Sequence, residues 1–340
     1  MKENHCENNA LIESIVNHPF FSSFDNTNIT QLDKGLSHLC FKVVTTSASY
    51  FVKVSESKAL SVKDELALLT AVSEANLSPS VFYCDKQWLI TEFIEGETLF
   101  ELDIPLKDKI DRAVILMADF HWLSYGQLKP LANQVKQSNA SNVPLNISEI
   151  IESMINEGDF TKQQRQLFAS LYASVKQDMP LNTSVDGQLF CHGDINFNNI
   201  LCDKVNNKSY LIDFDCTCLA EPAFDLAMMI AVNELPVEQS KQSITTLITQ
   251  YQDAIHQKKI SSVGLSSETQ ISRVVNIVPT DEVVTRYLMF CYLINGLWYL
   301  SNNVKTGNST YRRLAKSQFT LLNKRFTLND FALTELINTL

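Results

Sequence analysis

The chain is short of positive charge. Its 28 lysines and arginines stand against 38 aspartates and glutamates, a net charge of −10. That balance argues against nucleic acid or an anionic membrane as the main partner, because either would need a basic face. It leaves room for a local basic pocket and mildly favours cationic ligands. Long hydrophobic runs are missing too. The longest, "YLMFCYLINGLWYL" at 287–300, is too short to span a bilayer and contains Asn295. The opening "MKENHCENNA" carries no apolar segment of the signal-peptide kind. Eight cysteines stand at 6, 40, 84, 191, 202, 216, 218 and 291, with no C-x-x-C pair among them. This argues against a zinc knuckle and suits reduced, packed thiols. The expectation is a cytoplasmic protein with neither nucleic acid nor membrane among its partners. Internal repeats and low-complexity tracts are also lacking.

What is present is enough apolar residue, 45% of 340, for two lobes or one large domain. "HLCFKVVTT" (38–46) and "YFVKVSE" (50–56) alternate and share a small polar turn, the pattern of a β-hairpin. "ALSVKDELALLTAVSEANL" (59–77) repeats apolar residues at helical spacing, and "SVFYCD" and "QWLITEFIEG" read as two more strands. Beyond Gly96 the pattern turns helical, starting with "LKDKIDRAVILMADFHWLS" (106–124), whose apolar stripe includes His121. The exception is a β-like stretch at 189–216. The fold class expected is α+β: a β-rich lobe with one main helix over residues 1–94, and a mostly helical lobe over residues 95–340.

The chemistry-bearing residues collect in "FCHGDINFNNIL" (190–201) and "LIDFD" (211–215). Both are polar insertions at the ends of apolar, strand-like runs. If those runs pair, Asp194, Asn199 and Asp213 meet at one end of a hairpin. Asn199 and Asp213 then offer the oxygen ligands that magnesium prefers. Asp194 is left to orient a nucleophile and accept its proton. The D-x4-N spacing followed by a separate aspartate after the next strand is that of a kinase catalytic loop, and phosphoryl transfer relies on such positioning and charge neutralisation. Lys53, on a strand after a hairpin, is suited to nucleotide phosphates. Glu65 on the next helix is placed to hold it, with Asp64 as a neighbouring alternative. Gly35 and Ser37 in "KGLSHLCF" mark a turn able to present N–H groups to phosphate.

The ordered series "GLSHLCF", "FVKV", "DELALL", "LITEFIEGETL", "HGDINFNN", "LIDFD" and "EPAFDLA", over about residues 30–230, resembles the choline kinase, thiamine kinase and aminoglycoside phosphotransferase superfamily. The resemblance implies a protein-kinase-like bilobal fold that uses ATP and Mg2+. It implies that Asp194 is the catalytic base, that Asn199 and Asp213 bind magnesium, and that Lys53, supported by Glu65, binds phosphate. "TEFI" (91–94), with Glu92 and Ile94, would be the hinge that meets adenine. Asp225 would brace the catalytic loop's backbone. His38 stands where choline kinases often have Asn in the phosphate loop. Asp215 replaces a frequent glutamate and is a candidate for the substrate side. His192 fits the family loop as a backbone hydrogen-bonder.

Few residues separate Asp213 from Pro222, and neither a D-F-G glycine nor A-P-E follows, so a peptide substrate has no platform. A metallophosphoesterase would need His-rich motifs, and only six histidines are present. The expectation is a kinase that phosphorylates a hydroxyl of a small cationic metabolite, of choline or thiamine type. An aminoglycoside phosphotransferase is the alternative, and a catalytically silent nucleotide-binding pseudokinase the second. Trp298, in an aromatic tail with Tyr292 and Tyr299, is the candidate for cation–π contact with the acceptor.

Overall fold

A computed structural model describes residues 10–22, 24, 27–32, 39–54, 60–138, 144–176, 187–236, 240–262, 279–326 and 331–340. The chain divides into two compact units. The first comprises Met1–Glu97 and Leu201–Asp215, the second Thr98–Ile200 and Cys216–Leu340. The sequence reading placed one cut near residue 94. The observed division instead groups residues 201–215 with the first unit, because Leu211 N–H bonds Leu77 O and Lys204 N–H bonds Glu95 O.

In the first unit, strands β1 (Asn28–Leu32), β2 (Leu39–Val44), β3 (Ser49–Val54), β4 (Val81–Cys84) and β5 (Trp88–Glu92) form a sheet ordered β1-β2-β3-β5-β4. The expected hairpin is β2–β3, antiparallel, with Cys40 opposite Lys53. Pairing of β3 with β5 sets Lys53 opposite Leu89, so Lys53 lies on a strand with neighbours on both sides. Alternation then decides the core: Phe41, Val43, Tyr50, Val52, Trp88 and Ile90 bury against Ile15 and Phe21. Helix Val62–Glu74 is started by Ser61, whose hydroxyl accepts from Asp64 N–H, and its buried face carries Asp64, Glu65, Leu68, Leu69 and Val72. Strand β6 (Gly96–Thr98) joins β8 (Ile200–Asp203) and β9 (Lys208–Leu211) in a small sheet.

The second unit is helical around Asp281–Thr306. That helix runs through the apolar stretch of the sequence and buries residues on all its faces from Val284 to Leu300. It packs against helices Ile147–Glu157, Pro222–Val232 and Ser309–Phe326. Gly296 permits the closest approach: a Cβ there would stand 2.7 Å from the Phe319 ring. Phe319 in turn stacks on Phe168 at 5.9 Å. Each such fully buried aromatic contributes about 2–3 kcal/mol by apolar burial. A two-stranded antiparallel pair, β7 (Leu189–Cys191) with β10 (Cys218–Ala220), lies within this helical unit. The strand before the catalytic-loop motif therefore pairs with β10, while β8 pairs with β9. The run after the motif thus pairs with the run before "LIDFD", as expected, while the run before the motif belongs to a different sheet.

Among the described residues no helix is long and apolar enough to cross a membrane. Cys40, Cys84, Cys191, Cys202, Cys218 and Cys291 are buried and Cys216 is exposed.

Candidate active site

The loop after β7 is held from below. Asp225 lies in the first turn of helix Pro222–Val232, fully buried. Its Oδ2 accepts from His192 N–H and its Oδ1 from Gly193 N–H, both at 2.8 Å. Burial pushes its carboxyl up, but the hydrogen bond and charge of His121, with His192 and the Gly193 N–H, outweigh it and hold Asp225 below the usual carboxylate range. Gly193 makes the turn at φ +80°, where a Cβ would meet Cys216 O at 2.1 Å. His192 is buried, and its Nδ1 accepts from Asp194 N–H at 3.3 Å.

Asp194 is thereby delivered at the end of a fixed turn. Asn199 closes the loop: its Nδ2 donates to Asp194 Oδ2 at 2.7 Å and to Asp194 O at 3.1 Å. A carboxylate can only accept, so the carboxamide nitrogen must face Asp194 and the carbonyl oxygen is what Asn199 offers elsewhere. Asn233, at the end of helix Pro222–Val232, ties the loop again by accepting from Phe197 N–H and donating to Ile195 O.

In the first unit, Lys53 is 6% exposed at its side chain and its ammonium donates to Asp213 Oδ1 at 2.6 Å and Asp215 Oδ2 at 2.7 Å. Burial alone would lower its pKa, but the two aspartates outweigh it and hold Lys53 above its ordinary value. The sequence reading gave the partnership to Glu65 and set Asp215 toward the substrate. The structure places both Asp213 and Asp215 on the Lys53 ammonium, and Glu65 is buried on the following helix. Asp213 has φ +64°, a left-handed conformation that aspartate tolerates better than most residues. Burial pushes the neighbouring Cys40 thiol up to about 11, with Asp213 and Asp215 adding and Lys53 opposing, so it is no nucleophile at neutral pH. At the expected hinge, Glu92 N–H is committed to Ser80 O and Phe93 N–H to Ser49 O. Gly35, Ser37 and His38 lie outside the described residues.

Around the aromatic candidates Trp298 and Tyr299 stand Tyr311 and Glu234, which the sequence does not assign to the site. Trp298 is half-buried, with its ring 5.3 Å from Tyr299 and 5.7 Å from Tyr311, both edge-on. Burial, then the charges of Asp194 and Glu234, push the Tyr299 hydroxyl well above its ordinary range. Glu234, at φ +49° after the helix end, has a buried Oε1 with no hydrogen-bond partner among the described residues. The aromatic run signalled Tyr299. Nothing in the spacing signalled Glu234, which looks like an ordinary helix-end acid.

In the second unit Asn199 has its nitrogen engaged and its carbonyl oxygen to give, and in the first unit Asp213 carries a carboxylate; each is an oxygen donor of the kind a hard divalent cation takes. The fit to a nucleotide rests on Lys53, a buried cation kept charged.

A search of curated proteins returns no match. Solved structures are similar over nearly the whole chain. The choline kinase LicA from Streptococcus pneumoniae matches with a TM-score of 0.60 at 18% identity, covering 91% of this chain and 99% of that one. The microcompartment-associated aminopropanol kinase matches at 0.62 and 12%, covering 94% and 98%. The AMP-bound spectinomycin phosphotransferase APH(9)-Ia matches at 0.54 and 15%, covering 97% and 98%. At such identities the likeness is one of fold, and it is the protein-kinase-like α+β fold expected from the sequence. The model of the phosphotransferase enzyme family, APH, matches residues 28–258. With most of its length inside that match, and with this loop, lysine and aspartates in place, the chain is an enzyme of phosphoryl transfer, a member of the APH phosphotransferase family.

Proposed function

We propose that the enzyme transfers the γ-phosphoryl group of ATP to the hydroxyl of a small cationic alcohol, of choline or thiamine type. The observation that carries this is the Asp194 carboxylate, fixed by Asn199 and by a loop whose amides are bonded to Asp225. Phosphoryl transfer asks for such positioning more than for covalent chemistry. In this reading Asp194 aligns the acceptor hydroxyl and takes its proton as the oxygen bonds to the γ-phosphorus and the bond to ADP breaks. Lys53 neutralises nucleotide phosphate, and Ile94, past the committed amides of Glu92 and Phe93, is the hinge residue we assign to adenine. Asn199 and Asp213 would hold magnesium, which when bound withdraws charge from the phosphates.

Support for a cationic acceptor comes from Trp298, Tyr299 and Tyr311, clustered with one another in the same unit as Asp194, and from the Glu234 carboxylate, whose charge reaches Tyr299. Aromatic faces and a desolvated carboxylate both favour a quaternary or protonated amine. The solved relatives named for choline and aminopropanol point the same way, and the spectinomycin enzyme keeps larger amines in view.

The test is ADP release with ATP and Mg2+ across choline, ethanolamine, aminopropanol, thiamine, neutral sugars and aminoglycosides. Turnover with one of the small cationic alcohols is expected. Turnover with aminoglycosides alone would move the acceptor class. ATP binding without turnover on any acceptor would leave the pseudokinase reading.

A further inference from the structure

Asp225 does not hold the loop unaided. His121, on helix Leu106–Tyr125, stands with its Nε2 2.9 Å from Asp225 Oδ2. Its Nδ1 lies 2.9 Å from the hydroxyl of Tyr251, on helix Ser240–Ser262. The side chains of His121 and Asp225 are 1% and 0% exposed, and Tyr251 is also fully buried. Asp225, as a carboxylate, can only accept, so His121 Nε2 carries the proton in this contact. The result is a chain of hydrogen bonds from Tyr251 through His121 and Asp225 to the amides of His192 and Gly193, the two residues before Asp194.

Cys191 lies in the same cluster, with its sulfur, a His121 nitrogen and an Asp225 oxygen all within 4.8 Å of one another. A cation is a poor occupant. Both Asp225 oxygens are taken by N–H donors, Cys191 Sγ reaches Glu221 O, and burial raises the Cys191 thiol well above its ordinary value. The cluster is wired for hydrogen bonds.

We infer that His121 and Tyr251 are positioning residues for phosphoryl transfer, acting through Asp225 to set the direction of the Asp194 carboxylate. The physical reason is a two-acceptor problem. Asp225 must offer one oxygen to each of two successive amides, so its carboxylate plane has a single useful rotation. A third donor on Oδ2, itself anchored at its far nitrogen, fixes that rotation in an interior where an unmade hydrogen bond is costly. The inference rests on the reading of Asp194 as the base.

The experiment compares His121→Leu, His121→Gln and Tyr251→Phe with the wild-type enzyme on the acceptor that turns over fastest. Amide hydrogen exchange at His192 and Gly193 is followed in the same proteins without substrate. His121→Leu is expected to lower kcat roughly tenfold to a hundredfold, as small misplacements of catalytic groups do. KM for ATP and for acceptor should stay within about twofold of wild type, and exchange at the two amides should speed up. His121→Gln keeps an N–H donor near the position of Nε2 and should recover most of the loss. Tyr251→Phe removes one hydrogen bond and should cost roughly threefold to tenfold. If Leu and Gln lose kcat equally, if KM rises while kcat stands, or if the amides keep wild-type protection in His121→Leu, the inference fails. Wild-type turnover that is absent on every acceptor defeats the kinase reading instead, and the exchange arm still decides whether the relay holds the loop.

Discussion

Replacing Lys53 with methionine removes one cation from between two carboxylates. Both Asp213 and Asp215 lie within 2.7 Å of the same ammonium, so they stand no farther apart than two hydrogen-bond lengths. A charge-assisted hydrogen bond contributes about 1.5–3 kcal/mol when desolvated. The Asp215 contact, on a side chain 23% exposed, keeps most of that. The Asp213 contact is discounted to about 1 kcal/mol or less, because its side chain is 39% exposed and water screens it. Against this, methionine fills the stem's space and recovers the cost of burying an ammonium. The net expectation for Lys53→Met is a loss of about 1–3 kcal/mol, a Tm lower by about 1–4 °C for a chain of 340 residues. The coupling is the sharper test. Asp215→Asn should destabilise the wild-type protein but be neutral or stabilising in Lys53→Met, since there it relieves like-charge repulsion. Thermal melts of the four proteins of this cycle, without nucleotide, measure it. If Asp215→Asn costs the same in both backgrounds, the ion pair carries no energy and the reasoning is wrong.

Other outcomes follow from the same geometry. Gly193→Ala places a methyl 2.1 Å from Cys216 O at φ +80°, so it should cost about 1–3 kcal/mol of stability and most of the turnover. Near-wild-type melting and kcat would show that the turn is not held as described. Glu234→Gln removes a carboxylate without changing shape. It should raise KM for a cationic acceptor roughly tenfold while leaving KM for ATP unchanged, and an unchanged acceptor KM would remove Glu234 from acceptor binding.

Much of the frame was legible because the responsible signals are local. Alternation in "FKVV" and "FVKV" marks a hairpin, and β2–β3 is that hairpin. The helical stripes at 106–124 and 147–157 became helices Leu106–Tyr125 and Ile147–Glu157. Strand β1 was missed, since "NITQL" is an edge strand with no buried alternation to announce it. The β7–β10 pair was missed because each strand is three residues long and its partner lies beyond another hairpin. His121 could be read as a core histidine, but its partners lie 104 and 130 residues away, and no spacing rule reaches them. The contact of Asp215 with Lys53 is hidden for a related reason: sequence order past a strand end does not say which way a side chain turns. Asp194 and Asn199 can be read together because a loop of fixed length carries its polar groups at short spacing, whereas Asp225, on helix Pro222–Val232, comes only from the family resemblance.

The central claim is that Asp194 serves as the base for phosphoryl transfer to a hydroxyl. Its most direct test is Asp194→Asn, with single-turnover phosphoryl transfer measured beside ATP affinity in the same preparation. Asparagine keeps the shape and loses the proton acceptor. The account predicts transfer slowed by roughly a hundredfold or more with ATP affinity within about threefold of wild type. Transfer at the wild-type rate, or a loss traced wholly to ATP affinity, would contradict it.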